Sequence, residues 1–415
     1  MKYDGIVIGG GPAGMFAAII AAQQGNKVLL LEKMDRLGKK LLITGKGRCN
    51  VTNNCTAAEV LENVPRNGRF LYSAMDRFPP QKVIDFFESH GCKLKTERGN
   101  RIFPVSDRSS SILDCLKREL QYNNVALQTA TVTDIIACDG VVTGVRTKQQ
   151  RYDCKWVILA TGGMSYPATG STGDGYGFAS KLGHTVVPAE GSLVPLEISG
   201  TDCPQMQGLS LRNVGVKLLD KKGKTLYKDF GELLFTHFGV SGPTVLSASA
   251  HLKGTDCKIL IDLKPALDEG KLNDRILRDL EQYQNRSMEN AMTDLLPRSM
   301  IPVVLEKVGI DSQLQANSLK KEQRRSLVQT LKSFPLEISG KRPVEEAIIT
   351  SGGIKTGEID PKTMESKLVQ GLFFAGEVID CDAYTGGFNL QIAWATAYAA
   401  GMSVKTLIDK QSGVY

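Results

Sequence analysis

The stretch MKYDGIVIGGGPAGMFAAIIAAQQGNKVLLLEK (Met1–Lys33) decides the fold. Ile6, Val7 and Ile8 form an apolar run too short for a helix and without polar alternation, the pattern of a strand buried on both faces. It ends directly in Gly9-Gly10-Gly11-Pro12-Ala13-Gly14, and a small-residue helical pattern runs on to about Gln24. Gly25-Asn26 closes that helix with turn chemistry, and a second apolar strand, Val28 to Leu31, delivers Glu32. Each part has a mechanical reason. Gly9 permits the tight turn, Gly11 lets the backbone approach a pyrophosphate, and Gly14 lets the helix lie close to the sheet. The helix start offers free N–H groups and the positive end of a dipole to phosphates, while Glu32 suits ribose hydroxyls. The unit predicts a bound dinucleotide.

Composition narrows the class. A chain of 415 residues, 42% hydrophobic and 23% charged, is ordinary for a globular protein of roughly two to three domains. No apolar run is long enough to span a bilayer. Asp4 and the glycine-proline break argue against a secretory signal. The nine cysteines are scattered without a CxxC pair, which fits reduced thiols and a cytoplasmic protein. The four histidines lie at no metal-ligand spacing, so no metal site is expected. The net charge of +7 is a modest excess spread along the chain, with short basic groups at Lys39-Lys40, Lys221-Lys222 and Lys320-Lys321/Arg324-Arg325. It fits solvated faces, and it also leaves open contact with RNA phosphates.

Further along, residues 38–54 read as a long ordered loop, too rich in glycine, lysine and asparagine for a buried element. Val125 to Val132 and Val141 to Thr147 read as a strand pair about the Asp139-Gly140 turn. Trp156 to Ala160 is another buried strand, ended by Thr161-Gly162-Gly163. From Ala189 short strand-like runs dominate, and from Leu267 to about Phe334 a polar helical pattern replaces them. The first pattern then returns. Leu372-Phe373-Phe374-Ala375-Gly376-Glu377 is a strand ended by glycine and acid, and Gly386-Gly387 opens a closing helix. Two such elements at opposite ends of the chain suit FAD, an extended cofactor held at both ends. Only one GxGxxG is present, so NAD(P)H, if it is the donor, must visit transiently.

The segments GKKLLITGKGRCNVTNN, ATGGMSYPATGSTGDGYGFA, GELLFTHFGVSGP and GLFFAGEVIDCDAYTGGFNLQIAWATAYAAG resemble the BaiN/RdsA family of FAD-dependent oxidoreductases over essentially the whole chain. The resemblance implies an α/β fold: a Rossmann-like FAD-binding domain of the two-dinucleotide-binding-domain flavoprotein type, interrupted by an inserted β domain and a small helical subdomain. The boundaries that agree with it are 1–189 and 341–415 for the FAD domain, 190–265 for the β insert and 266–340 for the helices. It implies non-covalent FAD contacting Gly9, Gly11, Gly14, Glu32, Lys40, Gly45, Arg48, Val132, Thr161, Gly162, Glu377, Asn389 and Gln391. Their motif neighbours Pro12, Ala13, Lys33, Thr44, Asn50, Ala160, Gly376, Gly387 and Leu390 join that expected set.

The chemistry implied is hydride transfer from flavin to an electron-poor C=C bond, with a proton supplied to the neighbouring carbon. Cys49, His237 and Tyr166 are the candidate proton donors, and Asp380 and Asp382 either bind ribitol or cap a turn. The candidate substrates are uridine in ribosomal RNA and a small unsaturated metabolite. A flavin-dependent small-amine oxidase and a non-catalytic, FAD-containing ribosome-associated protein are the alternatives.

Overall fold

The structure is a computed structural model that describes residues 2–252, 254 and 256–412. It forms two compact units, Met1–Ser192 with Val344–Tyr415, and Leu193–Pro343. In the first unit, the elements that frame the candidate site are β1 (Gly5–Ile8), α1 (Pro12–Gln23), β2 (Val28–Glu32), β3 (Ala126–Thr129), β4 (Trp156–Leu159), α2 (Asp174–Lys181), β5 (Leu372–Phe374) and α3 (Phe388–Ser412). The strands make one parallel sheet in the order β5-β4-β1-β2-β3. The chain reverses direction across the sheet beside β1, which is where ligands of doubly wound sheets sit.

Packing explains several residue choices. β1, β4 and β5 are buried at every position, as a sheet covered on both faces requires. Gly5 pairs with Trp156, and a Cβ at Gly5 would fall 2.0 Å from the indole, so only glycine leaves room for that ring. The indole Nε1 donates to Asn26 Oδ1 at 3.3 Å, which ties β4 to the turn before β2. Helix α1 buries most of its surface, Ala13 through Ala21. It lies against α3, where a Cβ at Gly401 would meet Ala17 O at 2.9 Å.

Two sequence expectations change here. Ala126–Thr129 does not enter the hairpin; it pairs with β2 as the edge of the parallel sheet, through Leu29↔Ala126 to Glu32↔Thr129. The hairpin's first strand is Val132–Cys138, which abuts the Asp139-Gly140 turn directly and leaves a two-residue connection to Val141–Thr147. Residues 38–54 are also more structured than expected. They hold a helix (Lys39–Ile43), a 3₁₀ turn (Thr44–Gly47) and a short strand (Thr52–Asn53). Leu41, Cys49, Val51 and Thr52 are buried, because the strand pairs with Arg101–Pro104 and closes over the unit's core.

The second unit is a closed six-stranded antiparallel barrel. Its strand order is Leu196–Ile198, Gly239–Ser241, Thr225–Phe235, Ser210–Asp220, Cys257–Asp262 and Phe334–Lys341. The helices Glu269–Gln282, Ile301–Val308 and Lys321–Lys332 lie in this same unit and share its core, with Leu272, Val304 and Leu331 buried beside barrel residues Val216 and Ile259. Asp268 caps the first of them by accepting from Lys271 N at 2.8 Å. Among the described residues no helix is long and apolar enough to cross a membrane.

Candidate active site

The carboxyl ends of β1, β2, β4 and β5 open on one cleft. Gly9, Gly11, Pro12 and Ala13 line it after β1, Glu32 at the end of β2, Ala160, Thr161 and Gly162 after β4, and Gly376 and Glu377 after β5. Lys40 and Thr44 line it from the short helix and turn, and Asn389 and Leu390 from the start of α3. Fourteen of the expected cofactor residues thus share one wall.

The glycine turn is built as its spacing requires. Gly9 has φ 108°, and a Cβ there would lie 2.4 Å from Ala160 O. A Cβ at Gly14 would lie 1.8 Å from Gly9 O, so the helix is seated directly on the turn. Gly11 differs: a Cβ there meets nothing within 4 Å. Helix α1 begins at Gly11 with no side-chain cap, which leaves its first N–H groups for a bound anion. Glu32 Oε2 accepts from Gly10 N at 2.6 Å and Oε1 from Met34 N at 2.8 Å. These bonds hold the carboxylate at the cleft and leave lone pairs for hydroxyl donors. Thr161 Oγ1 is buried without a hydrogen-bond partner at the lining. Open space above an uncapped helix start, beside an anchored carboxylate and an unpartnered hydroxyl, fits a dinucleotide diphosphate and ribose.

At the other end, Lys40 Nζ donates to Glu377 Oε2 at 2.7 Å and to Ser165 Oγ at 2.6 Å. Glu377 Oε1 accepts from Thr350 N at 2.9 Å and Ser165 Oγ at 3.1 Å. Thr350 Oγ1 in turn accepts from Met164 N at 2.7 Å. Asn389 grips residue 383 twice, accepting from Ala383 N at 2.8 Å and donating to Ala383 O at 2.7 Å, which shapes the loop before α3. Ser165 and Thr350 were not anticipated from the sequence. Ser165 lies two residues after the Gly162-Gly163 pair that follows β4, and that adjacency was its available signal; Thr350 lies two residues before Gly352-Gly353.

The remaining expected residues lie elsewhere. Lys33 and Val132 line a smaller recess that shares Gly9, Glu32 and Thr161 with the main cleft. Lys33 Nζ is held by Asp174 Oδ2 at 2.6 Å. Arg48 is not at the cleft: its guanidinium pairs with Glu97 and Asp107, which raise its pKa, and it lies 4.2 Å over the Phe103 ring. Gly45 sits in a left-handed turn against Asn50 N, and Asn50 Oδ1 is buried without a partner. Gln391 is fully buried, accepting from Thr52 Oγ1 at 2.7 Å and donating to Phe78 O at 2.8 Å. A Cβ at Gly387 would lie 2.4 Å from Thr52 O. These last residues fasten the 38–54 segment to α3.

Of the proton-donor candidates, Cys49 is wholly buried, and burial pushes its thiol up to about 12. His237 is exposed in the barrel unit, on the turn between Thr225–Phe235 and Gly239–Ser241, with its ring edge-on to Phe238. Tyr166 follows β4 in a left-handed backbone conformation, and Lys40 Nζ lies 6.0 Å from its ring centre. Asp382 is buried, accepting from Ser192 Oγ at 2.7 Å with Arg66 at 3.4 Å. Asp380 accepts from Asn67 Nδ2 at 2.9 Å, and burial raises its carboxyl pKa. Neither aspartate lines the cleft. Among the described residues no group of three or more His, Cys, Asp or Glu is arranged to hold a metal ion.

Comparison with known proteins agrees with this architecture. Residues 3–403 match the HI0933-like protein Rossmann domain family. The chain is 32% identical over 402 residues to a 3-dehydro-bile acid delta(4,6)-reductase of Clostridium scindens, covering 95% of this chain and 97% of the relative. It is 31% identical over 404 residues to a ribosomal RNA dihydrouridine synthase of Escherichia coli K12, covering 97% and 98%. In fold it is similar to 3-ketosteroid delta1-dehydrogenase from Sterolibacterium denitrificans, with a TM-score of 0.53 at 13% identity over 97% and 99% of the two chains. The chain belongs to the HI0933-like Rossmann family of BaiN/RdsA-type oxidoreductases.

Proposed function

We propose that this protein is an FAD-dependent reductase of electron-poor C=C bonds that draws its electrons from NAD(P)H. The observation that carries the reading is the single cleft joining the glycine turn and Glu32 at one end to the Lys40–Glu377 pair at the other. Such a wall suits an extended cofactor better than a mononucleotide. The start of α1 and Gly11 would hold the diphosphate, Glu32 the adenosine ribose, and Glu377, Lys40 and Asn389 the ribitol and ring end. When bound, the flavin supplies hydride exchange between donor and acceptor. The chain's own part is to orient both partners, exclude water and deliver a proton.

Tyr166 is the proton donor that this reading favours. It lies near the charge network at the ring end, whereas Cys49 is sealed in the core. The names of the two curated relatives both denote addition of hydrogen across a C=C bond, in a bile acid or in uridine, and this supports the reaction type. Uridine in RNA is the acceptor we favour.

The purified protein should retain FAD, bleach with NADH or NADPH without oxygen, and regain colour with ribosomal RNA taken from a strain lacking this protein. Failure to retain FAD would overturn the cofactor. Reduced flavin reoxidised by neither RNA nor a conjugated steroid ketone would overturn the reductase. Peroxide release with a small primary amine would put an oxidase in its place.

A further inference from the structure

We propose that the exposed face of the ribbon Ser210–Asp220/Thr225–Phe235 in the barrel unit binds single-stranded RNA through its phosphates and one unstacked base. The strand register places Lys217 directly opposite Lys228, and both are exposed. Like charges in that relation destabilise a ribbon, so the pair is a feature its folding does not favour. The connecting turn adds Lys221, Lys222 and Lys224, all exposed. Among the described residues none of these five ammonium groups has an ion-pair or hydrogen-bond partner.

The nearby acids do not neutralise them. Asp220 Oδ1 accepts from Lys222 N and Lys224 N, both at 2.9 Å, and so closes the turn. Asp229 accepts from Tyr227 OH at 2.9 Å and from Phe230 N at 2.7 Å. Asp262, opposite Gly215 on the neighbouring strand, is held by Lys332 Nζ at 2.7 Å, and among the described residues of the ribbon Glu232 is the acid without a side-chain hydrogen bond or ion pair. The ribbon segment 210–235 carries six cations (Arg212 and the five lysines) against three carboxylates.

Phe230 makes the patch more than a charged surface. It lies two positions from Lys228 and therefore on the same face, about 7 Å along the strand. Its cross-strand neighbour is Gly215, which has no side chain to cover it, and the ring is 58% exposed. Cations that track a backbone beside an aromatic platform are the means of binding single strands. A duplex offers the phosphates without a free base, and an anionic membrane offers charge without either. The choice of RNA over DNA rests on the reductase reading with uridine as acceptor.

The test uses the full-length flavin-loaded protein and a uridine-rich labelled oligoribonucleotide of about twenty nucleotides, titrated between about 50 and 200 mM salt. The double variant Lys217→Gln/Lys228→Gln should weaken binding and lower the log–log salt slope by about 1.4, two phosphates at about 0.7 each. Phe230→Ala should weaken binding about ten-fold at an unchanged slope. Lys228→Glu should weaken binding while raising the melting temperature, because it turns a repulsive cross-strand pair into an attractive one. All three variants should keep the flavin and its bleaching by NAD(P)H. An unchanged slope in the double variant, or the same loss seen only with phosphatidylserine vesicles, overturns the proposal. RNA binding of this form without any dihydrouridine made would overturn the uridine reading and leave the ribbon standing.

Discussion

Lys40 Nζ stands 2.7 Å from Glu377 Oε2, although 337 positions separate the two residues. The pair joins the segment after β2 to the end of β5, and both side chains are mostly shielded, at 18% and 13% exposure. Breaking it from either side leaves a charge with fewer partners in a partly dry cleft. Lys40→Met and Glu377→Gln should therefore each lower the melting temperature and the flavin content. The double variant should lose less than the sum, with a coupling energy of about 0.5–3 kcal/mol in a double-mutant cycle. Strict additivity would show that the contact carries no energy.

Gly11 and Gly14 belong to one motif but should fail differently. Alanine at Gly14 drives a Cβ to 1.8 Å from Gly9 O, so Gly14→Ala should cost about 3 kcal/mol of stability even without cofactor. Gly11 has φ −79°, which alanine adopts freely, and its Cβ would enter open space. Gly11→Ala should melt like the wild type as apoprotein yet fail to retain FAD, because the methyl fills the phosphate's place. Urea unfolding of the apo forms and flavin absorbance of the purified forms separate the two effects.

The thiols set an alkaline limit. Burial pushes Cys49, Cys115, Cys154 and Cys203 up to about 12, and Cys55 up to about 11, from an ordinary value near 9. Between those values the unfolded chain releases protons that the folded chain keeps. Stability should thus be intact below pH 9 and fall as pH rises toward 12, by at most about 1.4 kcal/mol per pH unit for each thiol. Cys49→Ala should make the decline shallower. It should also leave reductase turnover in place, which a proton-donating thiol would not allow. Urea midpoints across pH 8 to about 10.5 check the sign.

The sheet was legible because its inner strands are unbroken apolar runs, β1 and β4 closed by glycine turns and β2 by Glu32, and that pattern has few other readings. Residues 126–129 were not legible as a sheet edge. The run from Val125 to Val132 serves equally as half of a hairpin, and only the pairing with Leu29 to Glu32 decides. Arg48 shows the same limit for the site. A basic residue near a predicted diphosphate is a fair candidate, but Glu97 and Asp107 are brought to it by the pairing of Thr52–Asn53 with the distant strand Arg101–Pro104. Gln391 is a related case: its motif position is at the start of α3, while helical rotation turns its amide into the core toward Thr52 and Phe78. Lys40, by contrast, is drawn to the cleft by Glu377, the acid that the strand-end pattern had already marked.

Tyr166 gives the sharpest separation of cofactor binding from chemistry. Its backbone is left-handed at φ 54°, an uncommon conformation for an aromatic residue, and it directly follows Ser165 in the Lys40–Glu377 network. Tyr166→Phe preserves the ring and removes only the hydroxyl. It should keep full FAD content and the wild-type rate of anaerobic bleaching by NAD(P)H, since that half-reaction needs no protein proton. Reoxidation by the unsaturated acceptor should slow by about 10²- to 10⁴-fold, the usual contribution of a positioned acid. A purely structural role would move the melting temperature or the flavin content and leave this ratio of half-reactions alone. If both half-reactions proceed at wild-type rates, Tyr166 is not the donor, and His237→Gln becomes the decisive variant, with the same two half-reactions measured.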